Sequence, residues 1–308
     1  MGPMVVALGG NALLREGEEA TFRNQILNVV RAAHSLAPSF SKIERGFALV
    51  HGNGPQVGDE YLRNEYSAGH VPSMPLHVLG AESQALIGSM LELALLDEFI
   101  QTGSKKKVCT VITHTVVDPN DPAFSRPSKP VGPFYTKKQL DDELSKEKFD
   151  YVTQDGRYRK VVASPKPLEI LELEQIKSLI DKGYIVICCG GGGSPVHKVD
   201  GKGYRGTDAV IDKDRTAQLL ATSLRADELV ILTNPEKVYW DYGTNKKPID
   251  TISAKKLKPE LGSFEDGSMR PKLEACINFI ENGGKAARIG SLYKFDDVIA
   301  GKNCTTIN

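Results

Sequence analysis

Cysteine is scarce in this chain: five residues in 308 (Cys109, Cys188, Cys189, Cys276 and Cys304), none in a C-x-x-C pair. That spacing excludes the usual zinc-ligand patterns and a disulfide framework. Neighbours such as Cys188 and Cys189, in an extended strand, are expected to point to opposite faces and make a poor chelate. An odd count in apolar surroundings fits reduced thiols in a cytoplasmic protein. Net charge is also lacking, with 39 basic and 39 acidic residues. No overall field then favours nucleic acid or an anionic membrane, and any anion site has to be local. No apolar run approaches the ~20 residues expected of a bilayer span. The opening M-V-V-A-L carries no basic leader, so a cytoplasmic location is expected. The P-loop pattern G-x-x-x-x-G-K-[ST] is missing, as are the H-R-D and D-F-G signatures of protein kinases.

What is present reads as a real core: 40% hydrophobic and 25% charged residues, in a length suited to one large α/β domain or two ordinary ones. Short apolar, β-branched runs at 4–8, 47–51, 108–113, 184–189, 228–233 and 286–289 predict strands. Several are apolar on both sides of the alternation, as buried parallel strands are. Helical patterns at 21–36, 56–68, 80–101, 171–182, 213–224 and 269–281 separate many of them. This alternation predicts an α/β fold with an open, mainly parallel sheet and helices on both faces.

Residues 117–167 break the rhythm. They hold Pro119, Pro122, Pro127, Pro130, Pro133, Pro165 and Pro167, a lysine-rich middle and a hairpin signal at Asp155–Gly156. An excursion of this length inside a compact domain reads as a functional flap over the sheet; a solvated insertion is the plain alternative.

Three predicted strands run into glycine turns: L-G-G-N-A-L at 8–13, H-G-N-G-P-Q-V-G at 51–58 and C-G-G-G-G-S-P at 189–195. Ligands of open parallel sheets collect outside the carboxyl ends of the strands. A turn there exposes N–H groups, and the next helix N-terminus favours an anion. One such turn can serve geometry alone; three make a stronger case for phosphate. The run at 190–195 starts like G-x-G-x-x-G but has proline where the third glycine belongs, which rules against a standard dinucleotide fingerprint. Three lysines occupy rigid settings that could supply charge. Lys129 lies between prolines, Lys213 starts a helix between Asp212 and Asp214, and Lys272 follows a proline at another helix start. Each alone is more often a solvated surface lysine. The six histidines show no metal-ligand spacing. His51 reads first as a structural strand-end residue, the run 105–107 as a solvated lysine loop, and the paired cysteines as core packing.

G-G-N-A, H-G-N-G-P-Q-V-G, K-P-V-G-P-F-Y, C-G-G-G-G-S-P-V, D-A-V-I-D-K-D and G-S-M-R-P-K-L-E-A, in this order, resemble carbamate kinase of the amino acid kinase superfamily. The likeness runs from about residue 4 to the C-terminus. It implies a three-layer αβα sandwich as a single domain over 1–308, with a protruding flap subdomain at 117–167, and a homodimer. It also implies reversible phosphoryl transfer between ATP and carbamate, giving ADP and carbamoyl phosphate, with Mg²⁺ bound alongside ATP or ADP. In many organisms this reaction makes ATP from carbamoyl phosphate in arginine catabolism. Nucleic acid and membrane partners are not implied.

By motif, Gly9, Gly10, Asn11, Gly52, Asn53 and Gly54 would hold the carbamoyl phosphate side. Lys129 would reach in from the flap, Lys213 would bridge the reacting phosphoryl, and Asp214 would hold the lysines in position. Lys272 would contact nucleotide phosphates, with Gly190, Gly191, Gly192, Gly193, Asp208 and Tyr239 lining the nucleotide end. Departures from the family pattern fall at Asp208, at Pro235 and Glu236, and at Ala163. Carbamate is already an anion, so its attack needs no general base, only alignment and charge neutralisation. Two other readings stand beside this one: another acyl-phosphate-forming amino acid kinase, and a catalytically silent metabolite-binding protein on the same scaffold.

Overall fold

The computed structural model describes residues 2–15, 17–132, 134–144, 149–154, 156–241, 246–265 and 268–308. Among them, eight strands build the main sheet: β1 Met4–Leu8, β2 Phe47–His51, β3 Lys107–Thr110, β4 Tyr184–Ile187, β5 Glu228–Thr233, β6 Thr251–Ile252, β7 Ala286–Ser291 and β8 Cys304–Ile307. Their order is β6-β8-β7-β5-β1-β2-β4-β3. Every neighbouring pair is parallel except β7 with β8.

The layers follow from the alternation within each strand. Val5 and Ala7 of β1 face one core with Ile176, Leu220 and Cys276. Met4, Val6 and Leu8 face the other, with Val29, Phe40, Ile87 and Phe99. The second core is covered by helices α1 Phe22–Lys42 and α3 Leu76–Gln101; α2 Gln56–Ser67 lies between them in sequence. The first is covered by α4 Leu173–Asp181, α5 Lys213–Ser223 and α6 Met269–Glu281. The result is a three-layer αβα sandwich around an open, mainly parallel sheet, the fold class that the alternation and the resemblance both imply.

Several boundaries differ from the sequence reading. Helix α1 runs six residues past Leu36, through Pro38. An interior proline costs about 3 kcal/mol, but Phe40 beyond it is fully buried and meets the rings of Phe47 and Phe295 edge-on at 4.8 and 5.2 Å. Burying a phenylalanine contributes ~1.5–3 kcal/mol, and each aromatic contact ~0.5–1.5 more. Burial outweighs the break.

Strand β4 stops at Ile187, before the cysteines. Cys189 turns into the left-handed region with φ 53°, so both thiols enter the same core cluster. They do not face opposite sides of the sheet. Lys106 does not stand free in a solvated loop. Its ammonium donates to the carbonyls of Ile43, Glu44 and Arg45, where α1 ends, a favourable place for a cation. Helix α3, at 26 residues and with an 18-residue window of mean hydropathy 1.2, is long and apolar enough to cross a membrane by length and composition, contrary to the sequence reading. In the fold it lies against the second core through Ile87, Leu91, Leu95 and Phe99.

A second, four-stranded sheet is a feature that the periodicity did not reveal. It orders Gly203–Gly206, Ser194–Val199, His114–Val117 and Pro167–Ile170 side by side. The last two carry the start and end of the 117–167 excursion. Within that excursion Lys129–Pro130 pairs with Arg157–Val162, which pairs with Tyr151–Gln154. Those last two strands flank the expected hairpin turn; Asp155 itself lies outside the described residues, as does Pro133. Val131 packs with Val57, Leu76 and Val210, which docks the excursion on α2 and α3.

Candidate active site

The three glycine turns follow β1, β2 and β4, adjacent and parallel in the sheet. Their loops therefore emerge side by side at one sheet edge. After β4 the chain needs glycine for two reasons. Backbone φ is positive at Gly191, Gly192 and Gly193, and the turn is wedged between side chains. A Cβ at Gly190 would lie 2.4 Å from the His51 ring, and one at Gly191 would lie 2.6 Å from the Asn53 amide. Close approach matters again at Gly52, where a Cβ would come 3.2 Å from Cδ of Lys213.

Lys213 is brought there by α5. Asp212 is the N-cap of that helix, its Oδ1 accepting from the amides of Asp214 and Arg215 at 3.0 and 3.3 Å. This sets Lys213 and Asp214 in the first turn. Asp214, almost fully buried, accepts from two lysines: Oδ1 from Lys213 Nζ at 2.5 Å and Oδ2 from Lys272 Nζ at 3.0 Å. Lys272 stands in the first turns of α6. Lys129, from the excursion, has a different partner: its Nζ donates to Oδ2 of Asp212 at 2.9 Å. The three lysines share a cavity of about 180 Å³ whose wall includes Gly10, Gly52, Asn53, Gly54 and Gly191. Three ammonium groups against two carboxylates leave the cavity with net positive charge, at the N-termini of both α5 and α6.

Burial sets the protonation of these groups, and the partners then oppose it. Burial works against the Asp214 carboxylate, yet Lys213 and Lys272 outweigh it and hold the carboxyl below its ordinary value. Asp212 behaves alike, with Lys129 the main counterweight to burial. Burial pushes the Lys213 ammonium below its ordinary value, with Lys272 adding to the effect. For Lys272 the pull of Asp214 exceeds burial, and its value ends raised. His51, fully buried beneath the turns, is brought from 6.5 to about 4 by burial. Its neutral ring donates through Nδ1 to the Gly52 carbonyl at 2.8 Å. It supports the turn from below.

The other expected site residues are distributed as follows. Gly9 lies at the end of β1, its amide donating to the Leu232 carbonyl at 2.8 Å; the side chain of Asn11 lies outside the described residues. Gly190, Gly192 and Gly193 are buried under the turn, and only Gly191 of that run reaches the lysine cavity. Asp208 accepts from the His77 amide at 3.4 Å and contacts its Nδ1 at 3.1 Å, holding the start of α3. Tyr239 sits in the strand Val238–Trp240, outside that cavity's wall. Glu236, one of the departures, pairs with Lys294 at 2.7 Å. Asp212 is the residue that sequence reasoning passed over. Its N-cap role is legible from an Asp before a helical run, but its hold on Lys129 exists only in the folded chain.

A fold of this topology, with glycine turns and paired lysines at the strand ends, is that of a small-molecule kinase. The family model described as amino acid kinase family matches residues 3–291. A carbamate kinase of Haemophilus influenzae is 44% identical over 99% of this chain and 96% of its own length. One from Pyrococcus horikoshii is 43% identical, covering 99% and 98%. The structure of a Giardia lamblia carbamate kinase bound to AMP-PNP superposes with a TM-score of 0.89 at 39% identity, over 99% of this chain and 98% of that one. The chain belongs to the amino acid kinase family and, within it, to the carbamate kinases; it is a phosphotransferase.

Proposed function

We propose that this enzyme transfers a phosphoryl group reversibly between ATP and carbamate, giving ADP and carbamoyl phosphate. The observation that carries the reading is the pair of buried lysines on one carboxylate, Lys213 and Lys272 on Asp214, facing Lys129 across a glycine-walled cavity. Two anions that repel each other have to be brought into line, and charge spreads over the phosphoryl oxygens in the transition state. Lys213 bridges the moving phosphoryl, Lys129 steadies it from the excursion, and Asp214 fixes the directions of Lys213 and Lys272. Glycine-turn amides at Gly10, Gly52 and Gly54 add donors. Carbamoyl phosphate lies on the side of Gly9, Gly10, Asn11, Gly52, Asn53 and Gly54. The nucleotide lies toward Lys272, Gly190–Gly193, Asp208 and Tyr239, and the bound ATP analogue of the Giardia relative supports a nucleotide site.

Magnesium comes with the nucleotide in this reading and neutralises phosphate charge. Asp212 and Asp214, the carboxylates at the cavity, are both engaged by lysines. Among the described residues no cluster of three or more His, Cys, Asp or Glu could hold a metal. Bound with the nucleotide, the ion would supply neutralisation of phosphate charge, and Lys129, Lys213 and Lys272 would add positive charge from this chain.

The excursion at 117–167 acts as a flap subdomain of a single domain, since Lys129 on it reaches the main body. A homodimer is supported by apolar side chains left exposed near the β3 edge: Leu93 at 61%, Ile100 at 76% and Ile112 at 43%. Five unpaired cysteines support a reducing, cytoplasmic setting. Running toward ATP, the reaction serves arginine catabolism. The testing experiment offers ADP with carbamoyl phosphate, beside acetyl phosphate and an aspartate-plus-ATP control. ATP formed from carbamoyl phosphate at the highest efficiency supports the reading, and none formed ends it.

A further inference from the structure

Lys129 belongs to a strand whose partner is fastened to α2. Lys129–Pro130 pairs with Val162 and Val161 of the strand Arg157–Val162. The pairing continues through the Val131 amide, which donates to the Lys160 carbonyl at 3.0 Å. The side chain of Lys160 crosses from that strand to α2 and is only 12% exposed. Its ammonium donates to the Tyr61 hydroxyl. It also lies 4.4 Å from the centre of the Tyr61 ring and 4.8 Å from that of Phe149. Glu65, one turn further along α2, stands 3.7 Å away. A cation taken out of water is costly unless partners replace its solvation, and here a hydroxyl, two ring faces and a carboxylate do so.

Gly58, Tyr61 and Glu65 lie on one face of α2, at spacing i, i+3 and i+7. That face receives the excursion's backbone as well: a Cβ at Gly58 would lie 2.7 Å from the amide nitrogen of Gly132, so the approach requires glycine. The same helix begins directly after the glycine turn of β2. One helix therefore sets both that turn and the strand pair that carries Lys129. Asp212 holds the Lys129 ammonium from the main body, and Lys160 holds the backbone from which it reaches. A reacting group displaced by about 1 Å can lose ~10²-fold in rate.

We propose that Lys160 is a positioning residue, seated between the Tyr61 and Phe149 rings, that fixes the excursion on α2 and so sets where Lys129 meets the transferred phosphoryl. The proposal rests on the reading above, that Lys129 serves phosphoryl transfer from carbamoyl phosphate.

Lys160→Met keeps an unbranched stem and removes the charge. The experiment measures kcat/KM for carbamoyl phosphate, and the KM of ADP, in wild type, Lys160→Met, Lys129→Met and the double variant. The expected result is a fall of about tenfold or more from Lys160→Met in the wild-type background, against less than about twofold in the Lys129→Met background. The KM of ADP should move less than about twofold on Lys160→Met. A merely structural role, or a long-range effect of the lost charge, lowers both backgrounds by the same factor. Equal factors, no fall in the wild-type background, or an ADP KM that shifts in step with the loss overturn the proposal. Tyr61→Phe takes away the hydroxyl and leaves the ring and the ammonium. It gives the same background dependence with a smaller factor and decides the matter if Lys160→Met does not fold; equal factors or no effect there overturn it. A wild type that makes no ATP from carbamoyl phosphate refutes the underlying reading and this proposal with it. An active wild type with equal factors in both backgrounds refutes the role of Lys160 alone.

Discussion

Lys129 Nζ lies 2.9 Å from Oδ2 of Asp212, across 83 positions of sequence. The other oxygen of that carboxylate caps α5. One aspartate thus ties the proline-rich excursion to the helix that presents Lys213. Asp212→Asn keeps a good N-cap but gives up the charge, whereas Asp212→Ala loses both. Urea titration should find the alanine variant about 1 kcal/mol less stable than the asparagine variant. Turnover should fall at least about tenfold in both, since Lys129 loses its charged partner. Equal stabilities would refute the capping role.

Asp214 holds two ammonium groups that are otherwise surrounded by protein, with Lys213 at 13% and Lys272 at 15% side-chain exposure. Asp214→Asn leaves them facing each other with only Asp212 as counter-charge, a carboxylate already paired with Lys129. Removing one partner of a buried pair costs ~3–5 kcal/mol, so the urea midpoint should drop sharply and turnover with it. An unchanged midpoint would mean that the lysines find other partners.

His51 makes stability depend on pH in a range that the aspartates leave alone. Its folded value is about 4 against 6.5, so folding favours the neutral ring. The stabilisation is whole above pH 6.5 and fades as pH falls toward 4, by about 3 kcal/mol. Asp212 and Asp214 are held below the ordinary carboxylate value, so their contribution is lost only below about pH 4. His51→Asn keeps a donor for the Gly52 carbonyl but cannot titrate. Its urea midpoint should stay flatter than that of wild type between pH 6.5 and 4, and identical slopes would remove His51 from the account.

Leu93 is 61% exposed on α3, beside the edge strand β3. If two copies meet there, Leu93→Lys should shift sedimentation from dimer to monomer while leaving the spectrum of the folded chain intact. A wild type that sediments as a monomer, or a variant that stays dimeric, places the contact elsewhere.

Much of the scaffold is legible from local pattern. M-V-V-A-L, F-A-L-V-H and E-L-V-I-L-T announce buried parallel strands, and the structure has them at the stated positions. What escaped depends on pairing and packing that local pattern does not show. Gly203–Gly206, G-Y-R-G, has poor strand propensity and is a strand because Ser194–Val199 pairs with it. Helix α1 passes Pro38 because Phe40 has two rings to meet. The lysines were legible as candidates from their rigid settings. Their partners were not all legible: Asp214 adjoins Lys213, whereas the grip of Asp212 on Lys129 arises only when separate elements pack.

In the proposed function the lysines around Asp214 and Asp212 carry the phosphoryl transfer. The most direct measurement is the initial rate of ATP formation from ADP and carbamoyl phosphate by wild type and by Lys213→Ala, with circular dichroism confirming that both are folded. Losing one preorganised cationic donor should cost ~10²–10³ in turnover. A folded Lys213→Ala enzyme that works at the wild-type rate would contradict the account.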